Sequence, residues 1–423
     1  MDPEAAILAG ELVTALRERG TIRSAAVEAA FRAVSRHLFL PNVPLAQVYS
    51  DQSFPTKIVD GRAVSSSSQP AVMAMMLEQL DLRQGQRVLE IGAGTGYNSA
   101  LMAHIVGNSG QVVAIDIDDD IVAAARSHLN AAGYDRVQVE RGDGALGYPA
   151  AGPYDRIILT VGASDIASAW QAQLAAGGRL VVPLVLRALQ KSVAFEPKDG
   201  VLSSVSVLSG IFFMPLRGVL GDSEHLVRLG ADTSLAMAVD DARRIDVDRV
   251  RAALSGVTNE WTTDVYVVAG EIEAGLSTWL ELRRPEFCHI FAMGQVADGD
   301  LIAKRLAGPD GFSPVSGMCR ATTLALLVRP LSGPLDAGGG EPVEHVSPLL
   351  VRTVGTDDLL ADELVDELRA WDAAGRPMDS NLRIRAFPAE RTLRGVVGAP
   401  YAELRKGESR LVFDWPDAST PSD

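Results

Sequence analysis

Short apolar runs alternate with helical patterns along the first half of the chain. In these runs hydrophobic residues occupy consecutive positions and not every second one. This pattern is typical of parallel strands that are covered on both faces. They are residues 88–91, 112–115, 137–140, 154–160 and 177–183. The pattern predicts a doubly wound α/β domain in which helices connect neighbouring parallel strands.

Two further β-like runs follow the fifth strand, at residues 192–195 and 201–213. Between them lies Asp199-Gly200, a dipeptide that favours a tight turn between antiparallel strands. The two runs therefore predict a hairpin that completes a seven-stranded sheet. The first domain is expected to cover residues 1–218.

The segment before the first strand mixes helical and proline-rich stretches. Helical spacing before residue 37 predicts two helices that cap the sheet, and residues 71–80 predict one more helix. Prolines interrupt residues 38–64, so this stretch is expected to be irregular.

The first predicted strand ends in a glycine-rich sequence, Glu90-Ile91-Gly92-Ala93-Gly94-Thr95-Gly96-Tyr97. A strand, a glycine turn and a helix form the usual nucleotide site of an α/β sheet. A dinucleotide fingerprint needs glycine or alanine where Tyr97 stands, and no Gly-Lys-Ser/Thr run follows that would complete a phosphate-binding loop.

Acidic residues follow the next two runs at matching places. Asp116 ends the second run and is suited to the two hydroxyls of a ribose. Asp143, between Gly142 and Gly144 after the third run, offers a carboxylate to an adenine amino group. Three strand ends thus predict one nucleoside-binding site.

About 200 residues remain after the first domain. Helical spacing occurs at residues 247–254, 275–282 and 357–371, and strand-like alternation at 382–385 and 410–413. The sequence therefore predicts a second, α+β domain at 219–416, with a flexible loop at 333–340 and a disordered tail at 417–423.

Composition narrows the functional classes. The formal charge of −15 argues against a nucleic-acid partner. Two isolated cysteines and six scattered histidines indicate neither a disulfide framework nor a metal site. The chain shows no signal peptide and no apolar run that spans a bilayer, so a cytoplasmic protein without membrane contact is expected. Nothing in the sequence indicates an oligomeric state.

The motifs resemble known methyltransferases. The glycine sequence resembles motif I of the class I S-adenosylmethionine (SAM) methyltransferases, and residues 5–217 resemble the protein-L-isoaspartate (D-aspartate) O-methyltransferase family. The matching motifs, in the family's order and spacing, are residues 36–41, 49–51, 68–70, 75–78, 88–97, 142–144, 154–160, 177–183 and 213–216.

The resemblance implies SAM as the cofactor, S-adenosylhomocysteine (SAH) as its product, and no metal. Ser68 aligns with the family's active-site serine. The implied cofactor-binding residues are Glu90, Gly92, Gly94, Gly96, Asp116, Asp143, Gly144 and Thr160. The implied substrate-binding residues are Ser65, Ser66, Ser67 and Met214. Thr160 is equally explained as a strand-end residue that satisfies backbone groups, and Met214 as a packing residue.

Two departures from the family pattern bear on the substrate. Ser65, Ser66 and Ser67 replace the family's usual residues before the active-site serine, and the long carboxyl-terminal extension is absent from the compact repair enzymes. The extension resembles the branch, including the FxLD-system type, that tailors lanthipeptides and graspetides. That branch methylates an aspartate of a crosslinked ribosomal peptide, and the ester closes to a succinimide (aspartimide). General isoaspartate repair and a non-catalytic, SAM-holding peptide-binding protein are the alternatives.

Overall fold

The computed structural model describes residues 3–221, 225–229, 234–242, 245–254, 258–292, 314–328, 347–355, 357, 359–393 and 402–416. These residues form three sheets of ten, seven and two strands. The predicted loop at 333–340 and the predicted tail at 417–423 lie outside the described residues.

The ten-stranded sheet contains the nucleotide-type fold predicted for the first half. Its first seven strands are β3 (Arg87–Ile91), β4 (Gln111–Asp116), β5 (Gln138–Arg141), β6 (Tyr154–Leu159), β7 (Leu174–Val185), β8 (Gln190–Lys198) and β9 (Val201–Leu208). Their order is β5-β4-β3-β6-β7-β8-β9. The first five run parallel and the last two form an antiparallel hairpin. The predicted doubly wound sheet is confirmed.

Helices cover both faces of this sheet. They are α1 (Pro3–Glu18), α2 (Ala25–Ala33), α3 (Leu45–Val48), α4 (Pro70–Leu80), α5 (Tyr97–Val106), α6 (Asp119–Ala131) and α7 (Ser168–Gln173). The start of α2 shows why the sequence sets these bounds: the Ser24 hydroxyl accepts a hydrogen bond from the Val27 N–H, which caps the helix.

Residues 54–67 form a hairpin, so the prediction of an irregular segment is wrong there. Strands β1 (Phe54–Val59) and β2 (Arg62–Ser67) pair antiparallel. Asp60 and Gly61 connect them with φ of 49° and 72°, the left-handed pair of a tight hairpin turn. Pro55 is tolerated because this two-stranded ribbon consists only of edge strands.

The last three strands extend the first sheet, although the sequence placed them in the second domain. They are β17 (Arg383–Pro388), β18 (Ala402–Arg405) and β19 (Ser409–Asp414), and β17 pairs with β9. The Ile384 N–H also donates to the Ser204 hydroxyl over 2.8 Å. Strand β9 would otherwise be an edge with unpaired backbone groups, and this pairing removes that edge.

The seven-stranded sheet belongs to the region between these parts. Its strands are β10 (Leu226–Arg228), β11 (Leu235–Val239), β12 (Thr258–Val267), β13 (Phe287–Ala292), β14 (Val315–Arg320), β15 (Thr323–Val328) and β16 (Ser347–Val354). Neighbouring strands are antiparallel, in the order β10-β11-β13-β14-β15-β16-β12.

Three helical segments accompany the second sheet where the sequence predicted helices. They are Val247–Leu254, a segment from 269 to 283 that contains a π-helical turn at Ile272–Leu276, and Leu359–Ala373. The last helix buries Leu360, Leu364 and Leu368 on one face. This face joins the core, as the spacing of its leucines predicts.

The two sheets share a core and a polar junction. One hydrophobic cluster contains Phe195 of the first sheet together with Trp279 and Trp371. The buried Glu281 carboxylate accepts from the N–H groups of residues 187, 188 and 189 at 3.0, 2.7 and 2.7 Å. Three N–H groups that share one oxygen of this carboxyl group fix the turn between β7 and β8 against the second half.

The helices of the described residues include none that is long and apolar enough to cross a membrane.

Candidate active site

One large cavity joins the strand ends of the first sheet to the second half. Its volume is about 1840 Å³, and its wall includes the glycine turn, strand β2, residues 210–217 and parts of β13 and β14. A pocket for a single small ligand is typically about 300–1,000 Å³. The cavity therefore has room for a nucleoside-sized group and for a second, larger molecule.

The glycine turn opens onto this cavity through Gly92 and Gly94. Gly92 has φ of 104°, and a Cβ there would lie 2.7 Å from Oγ1 of Thr160. Gly94 has φ of 51° and donates its N–H to Oδ2 of Asp116 over 3.2 Å. Only glycine meets both the left-handed conformation and the close approach at Gly92.

Gly96, predicted as a cofactor-binding residue, follows the part of the glycine turn that opens onto the cavity. It does not belong to the cavity wall, and its added Cβ would lie 3.1 Å from Cγ of Leu129. Its φ of 86° is in the left-handed region, and helix α5 begins at the next residue. Helix α6 lies close to this point. In the structure this glycine permits helix packing behind the turn.

Glu90 holds the start of helix α5 from beneath the glycine turn. Its buried carboxylate accepts from Nδ2 of Asn98 over 2.8 Å and from the hydroxyl of Ser99. Burial raises the pKa of Glu90 to about 7, against the opposing effect of these two hydrogen bonds. The carboxylate thus orients the turn, one of the two roles predicted for it.

Asn98 was missed by the sequence analysis. Its Oδ1 is buried in the cavity wall and accepts no hydrogen bond from the described residues. Such an atom requires a donor to offset its desolvation. The signal was present: Asn98 and Ser99 are polar residues at the start of an otherwise apolar helix.

Asp116 lies at the end of β4, in the cavity wall. It accepts from the N–H of Gly94 and, through Oδ1, from the N–H of Asp118 over 3.4 Å. Burial raises its pKa. A carboxylate has about four acceptor positions, so these two contacts leave it able to accept from the hydroxyls of a ribose.

Asp143 is engaged elsewhere. It accepts from the N–H groups of Ala145 and Val219, both over 2.9 Å, and it is not part of the cavity wall. Its neighbour Gly144 does line the cavity, and a Cβ there would lie 2.6 Å from Ile91. The structure therefore places this loop at the predicted position but gives the Asp143 carboxylate a backbone-capping role.

Thr160 follows strand β6 and contacts the glycine turn. Its hydroxyl donates to the carbonyl of Gly92 over 2.6 Å and lies 3.3 Å from that of Ile91. It also lines the cavity. Its observed contacts are those of a strand-end residue that fixes the glycine turn.

The last three residues of β2, Ser65, Ser66 and Ser67, line the cavity, and so does the next residue, Ser68. The Ser65 hydroxyl accepts from Thr56 over 3.0 Å. The Ser66 carbonyl oxygen lies 3.8 Å from the position of an added Cβ on Gly94, so β2 runs over the glycine turn. The Ser67 hydroxyl is buried without a partner among the described residues. The Ser68 hydroxyl likewise has none there, although its side chain is only half-buried.

Arg36 fixes the backbone of Ser68. This fully buried guanidinium donates to the carbonyls of Val48, Ser50, Gln52 and Ser68 at 2.8, 3.2, 3.1 and 3.0 Å. Sequence motifs placed Arg36 in the family pattern but gave no indication of this function. One rigid fork therefore ties the loop before the hairpin to the backbone of Ser68.

A charged cluster holds the hairpin to the cofactor side. Lys57 of β1 contacts Asp118 and Asp120, both over 2.7 Å, and Arg217 reaches Asp118 over 2.9 Å. The hydrogen bond from Arg217 lowers the pKa of Asp118. No sequence pattern predicts this cluster, because Lys57 and Asp118 are 61 residues apart and Asp118 and Arg217 are 99 residues apart.

Met214 lines the cavity beside the strand ends. Its carbonyl accepts from the N–H of Gly162 over 2.8 Å, and the N–H of Leu216 donates back to Gly162 over 2.7 Å. The segment that connects the two halves is thus paired to the end of β6.

The hydrogen-bond acceptors fit SAM, whose ribose hydroxyls and amino group are donors. The Asp116 carboxylate and the unpaired Asn98 oxygen line the cavity together with Gly94, where no side chain blocks the approach to the backbone. They would hold the ribose and the amino group of the methionine part. Among the described residues no group of three or more His, Cys, Asp and Glu side chains is placed to bind a metal.

Known proteins match the part of the chain that contains most of this site. A family model described as protein-L-isoaspartate(D-aspartate) O-methyltransferase matches residues 9–220. The protein-L-isoaspartate O-methyltransferase of Hyperthermus butylicus is 41% identical over 234 residues, which cover 53% of this chain and 93% of that protein. The protein of the same name from Methanopyrus kandleri is 38% identical over 214 residues, covering 50% of this chain and 92% of the relative.

A solved structure titled protein-L-isoaspartate O-methyltransferase overlaps 89% of this chain and 96% of its own, with 24% identity and a TM-score of 0.49. The family model alone covers half of the present chain, and the relatives are matched over nearly their whole length. The chain belongs to the protein-L-isoaspartate (D-aspartate) O-methyltransferase family and is a SAM-dependent methyltransferase.

Proposed function

We propose that this enzyme methylates the side-chain carboxylate of an aspartate in a crosslinked, ribosomally made peptide. The observation that carries the proposal is the single cavity, which continues from the serines of β2 to the wall of the second half. Its volume of about 1840 Å³ exceeds the need of a cofactor. The region 219–416, with the last three strands packed on the first sheet, then serves to recognise the peptide.

The reaction needs positioning more than proton transfer. A carboxylate with a pKa of about 4 is already ionised at neutral pH, so it attacks without a general base. Ser68 donates a hydrogen bond to one carboxylate oxygen and directs the other toward the cofactor. Ser67, whose buried hydroxyl is unpaired among the described residues, offers a second donor. Correct alignment of reactants is worth roughly 7–11 kcal/mol at its best.

SAM, when bound, supplies an electrophilic methyl group on a sulfonium. The chain's own residues hold the reacting groups in place and keep water out. Arg36 fixes the Ser68 backbone, and the Lys57–Asp118 contact keeps the hairpin over the glycine turn. Both interactions act before the chemical step, so the site is preorganised.

The methyl ester then reacts within the peptide itself. The backbone nitrogen of the following residue attacks the ester carbonyl and loses its proton, and methanol leaves. The new carbon–nitrogen bond closes a five-membered succinimide. Proximity alone favours this step, so no residue of the enzyme is assigned to it.

General isoaspartate repair is the second candidate. The Hyperthermus butylicus relative bears that enzyme's name and is matched over 93% of its length by this chain. The same positioning of a carboxylate would serve an isoaspartyl substrate. The two candidates differ only in the peptide that the cavity admits.

Competition between two peptides distinguishes the candidates. The enzyme and SAM would be incubated with a linear isoaspartyl peptide and with the crosslinked product of a precursor peptide encoded beside this chain. Mass spectrometry is expected to show methyl gain or water loss on the crosslinked aspartyl peptide only. Methylation of the linear isoaspartyl peptide alone would support general isoaspartate repair. No methylation of either peptide would support a non-catalytic protein that binds SAM and a peptide.

A further inference from the structure

An aromatic wall lies in the part of the cavity that the second half contributes. We define the aromatic wall as Phe212, His289 and Phe291, all of which line the cavity. The Phe212 and Phe291 ring centroids are 5.5 Å apart, and the His289 ring stacks on Phe291 at 5.9 Å with 27° between the planes. Phe212 is 46% exposed. An exposed ring beside two others is unusual on a surface that serves no binding partner.

A short polar chain fixes the histidine in this wall. Its Nδ1 lies 2.9 Å from the hydroxyl of Ser316, which in turn lies 2.8 Å from the hydroxyl of Ser277. Ser277 and Ser316 are both buried, so the pair has little freedom to turn elsewhere. The opposite nitrogen, Nε2, contacts no partner in the part of the chain that the structure describes and is free for a ligand.

The charge state of this histidine suits a neutral ligand. Burial lowers the pKa of His289 to about 4, and the nearby Lys191 acts in the same direction. Lys191 itself is held in a buried ion pair with Asp379 over 2.7 Å. The ring is therefore neutral at physiological pH and forms an ordinary hydrogen bond to a peptide backbone group.

The aromatic wall is linked to the methyl-transfer site by short stretches of chain. Phe212 lies two residues before Met214, which is hydrogen-bonded to Gly162, two residues after Thr160. Thr160 contacts the carbonyl of Gly92. Two extended residues span at most about 7 Å, so this path measures no more than about 20 Å, which an extended peptide covers with about six residues.

We propose that the aromatic wall is a specificity subsite for the peptide substrate. It takes a bulky aromatic side chain within about six residues of the methylated residue, while His289 Nε2 forms a hydrogen bond to the adjacent peptide backbone. The occupant is a segment of the substrate because the wall and the transfer site share one continuous cavity. The subsite rests on the proposed function, since it presumes a peptide in that cavity.

Peptides that differ in one aromatic residue test the subsite. A ten-residue peptide series would carry one target residue, as aspartate or as isoaspartate, and one phenylalanine moved along a glycine–serine background. Fluorescence anisotropy with SAH present would measure binding, and methylation would measure turnover. Phenylalanine at one or two positions is expected to tighten binding to the wild-type enzyme by at least about tenfold, as burial of one aromatic side chain permits.

Variants of the wall provide the second arm. Phe291→Ala and His289→Ala are expected to reduce the phenylalanine preference to within about twofold, and His289→Asn to retain part of it by keeping one hydrogen bond. Trp261→Ala is the matched control: this residue is 39% exposed on β12 of the same sheet and lies outside the cavity wall. An unchanged affinity for SAH in each variant would show that the cofactor side remains folded.

The outcomes separate the subsite from the proposed function. Absence of a phenylalanine preference in binding, or a preference that survives Phe291→Ala, would overturn the subsite alone if the crosslinked aspartyl peptide is methylated. A wall-dependent preference in binding, with no methylation of the crosslinked aspartyl peptide, would support the subsite and overturn the proposed function. Neither a binding preference nor methylation of the crosslinked peptide would overturn both.

Discussion

The two ends of the cavity are built in different ways. At the cofactor end, backbone turns and buried side chains hold one another: Glu90 supports helix α5, and Arg36 binds four carbonyls. At the other end, the aromatic wall combines side chains of β13 with Phe212 of the connecting segment. Contacts to the backbone restrict substitution at the first end, whereas contacts between side chains dominate at the second. One fixed chemistry can in this way be directed to different peptides.

Substitutions at the two ends of the cavity should therefore have different effects. Removal of a buried support at the cofactor end, such as the Arg36 side chain, should reduce both stability and transfer, because the same contacts serve both. A change in the aromatic wall should alter only the choice of peptide. Four substitutions at the cofactor end examine this division.

Arg36→Ala should have the largest effect. It leaves the carbonyls of Val48, Ser50, Gln52 and Ser68 without their donor, and unpaired buried groups cost about 1–3 kcal/mol each. A loss of at least about 4 kcal/mol of unfolding free energy is expected in urea titrations, together with loss of methylation. Arg19→Ala is the control, since this side chain is 65% exposed and its contact with Asp51 is a long one, at 3.5 Å. Equal effects of both substitutions would contradict the structural role of Arg36.

Glu90→Gln should change the dependence of stability on pH. Burial raises the pKa of Glu90 from 4.5 to about 7 in the folded chain, so the folded state binds the proton more tightly than the unfolded state. Stability from this group is fully present below pH 4.5 and is lost as pH rises through about 7. The loss amounts to about 3 kcal/mol above that pH.

The glutamine variant lacks this titration. Urea unfolding at pH 5 and pH 8 should therefore show that Glu90→Gln is more stable relative to wild type at the higher pH. A difference between variant and wild type that is the same at both pH values would contradict the raised pKa.

Ser68→Ala should lower turnover without changing cofactor binding. A hydrogen bond to a charged group is worth about 1.5–3 kcal/mol, so kcat is expected to fall by about 10- to 100-fold. Calorimetry with SAH should give a wild-type affinity. Ser65→Ala is the matched control, because the Ser65 hydroxyl is already paired with Thr56. Unchanged kcat in the Ser68 variant would remove this serine from the mechanism and direct attention to Ser67.

Lys57→Met should have the smallest effect. It removes the contacts to Asp118 and Asp120 while keeping most of the aliphatic side chain. Ion pairs near the surface contribute little, so SAH affinity is expected to fall by no more than about fivefold. The wild-type affinity should weaken with added salt more than that of the variant. An identical salt response would show that the hairpin does not depend on this cluster.

Sequence predicted the parts of the molecule that depend on local order. The glycine turn, Asp116 and the parallel strands follow from short motifs, and all lie where they were expected. Gly96 and Asp143 were assigned to the right loops, but their contacts depend on Leu129 and Val219, which the motif does not specify. Local patterns position a loop; packing decides which of its groups face the ligand.

The rest of the fold depends on pairings between distant residues. Strand β17 joins β9 across about 180 residues, as the contact of Ile384 with Ser204 shows. The hairpin at residues 54–67 has one proline and several polar residues at edge positions, so its sequence resembles that of a loop. The aromatic wall unites Phe212 with residues of β13, and no spacing rule links them.

Hydrogen–deuterium exchange tests most directly whether one cavity holds the cofactor at one end and a peptide at the other. SAH alone should protect residues 87–97 and 111–118. Adding a crosslinked peptide should extend protection to the hairpin at 54–67 and to β13 at 287–292. Peptide-induced protection confined to the first half, or located away from the cavity, would contradict the account.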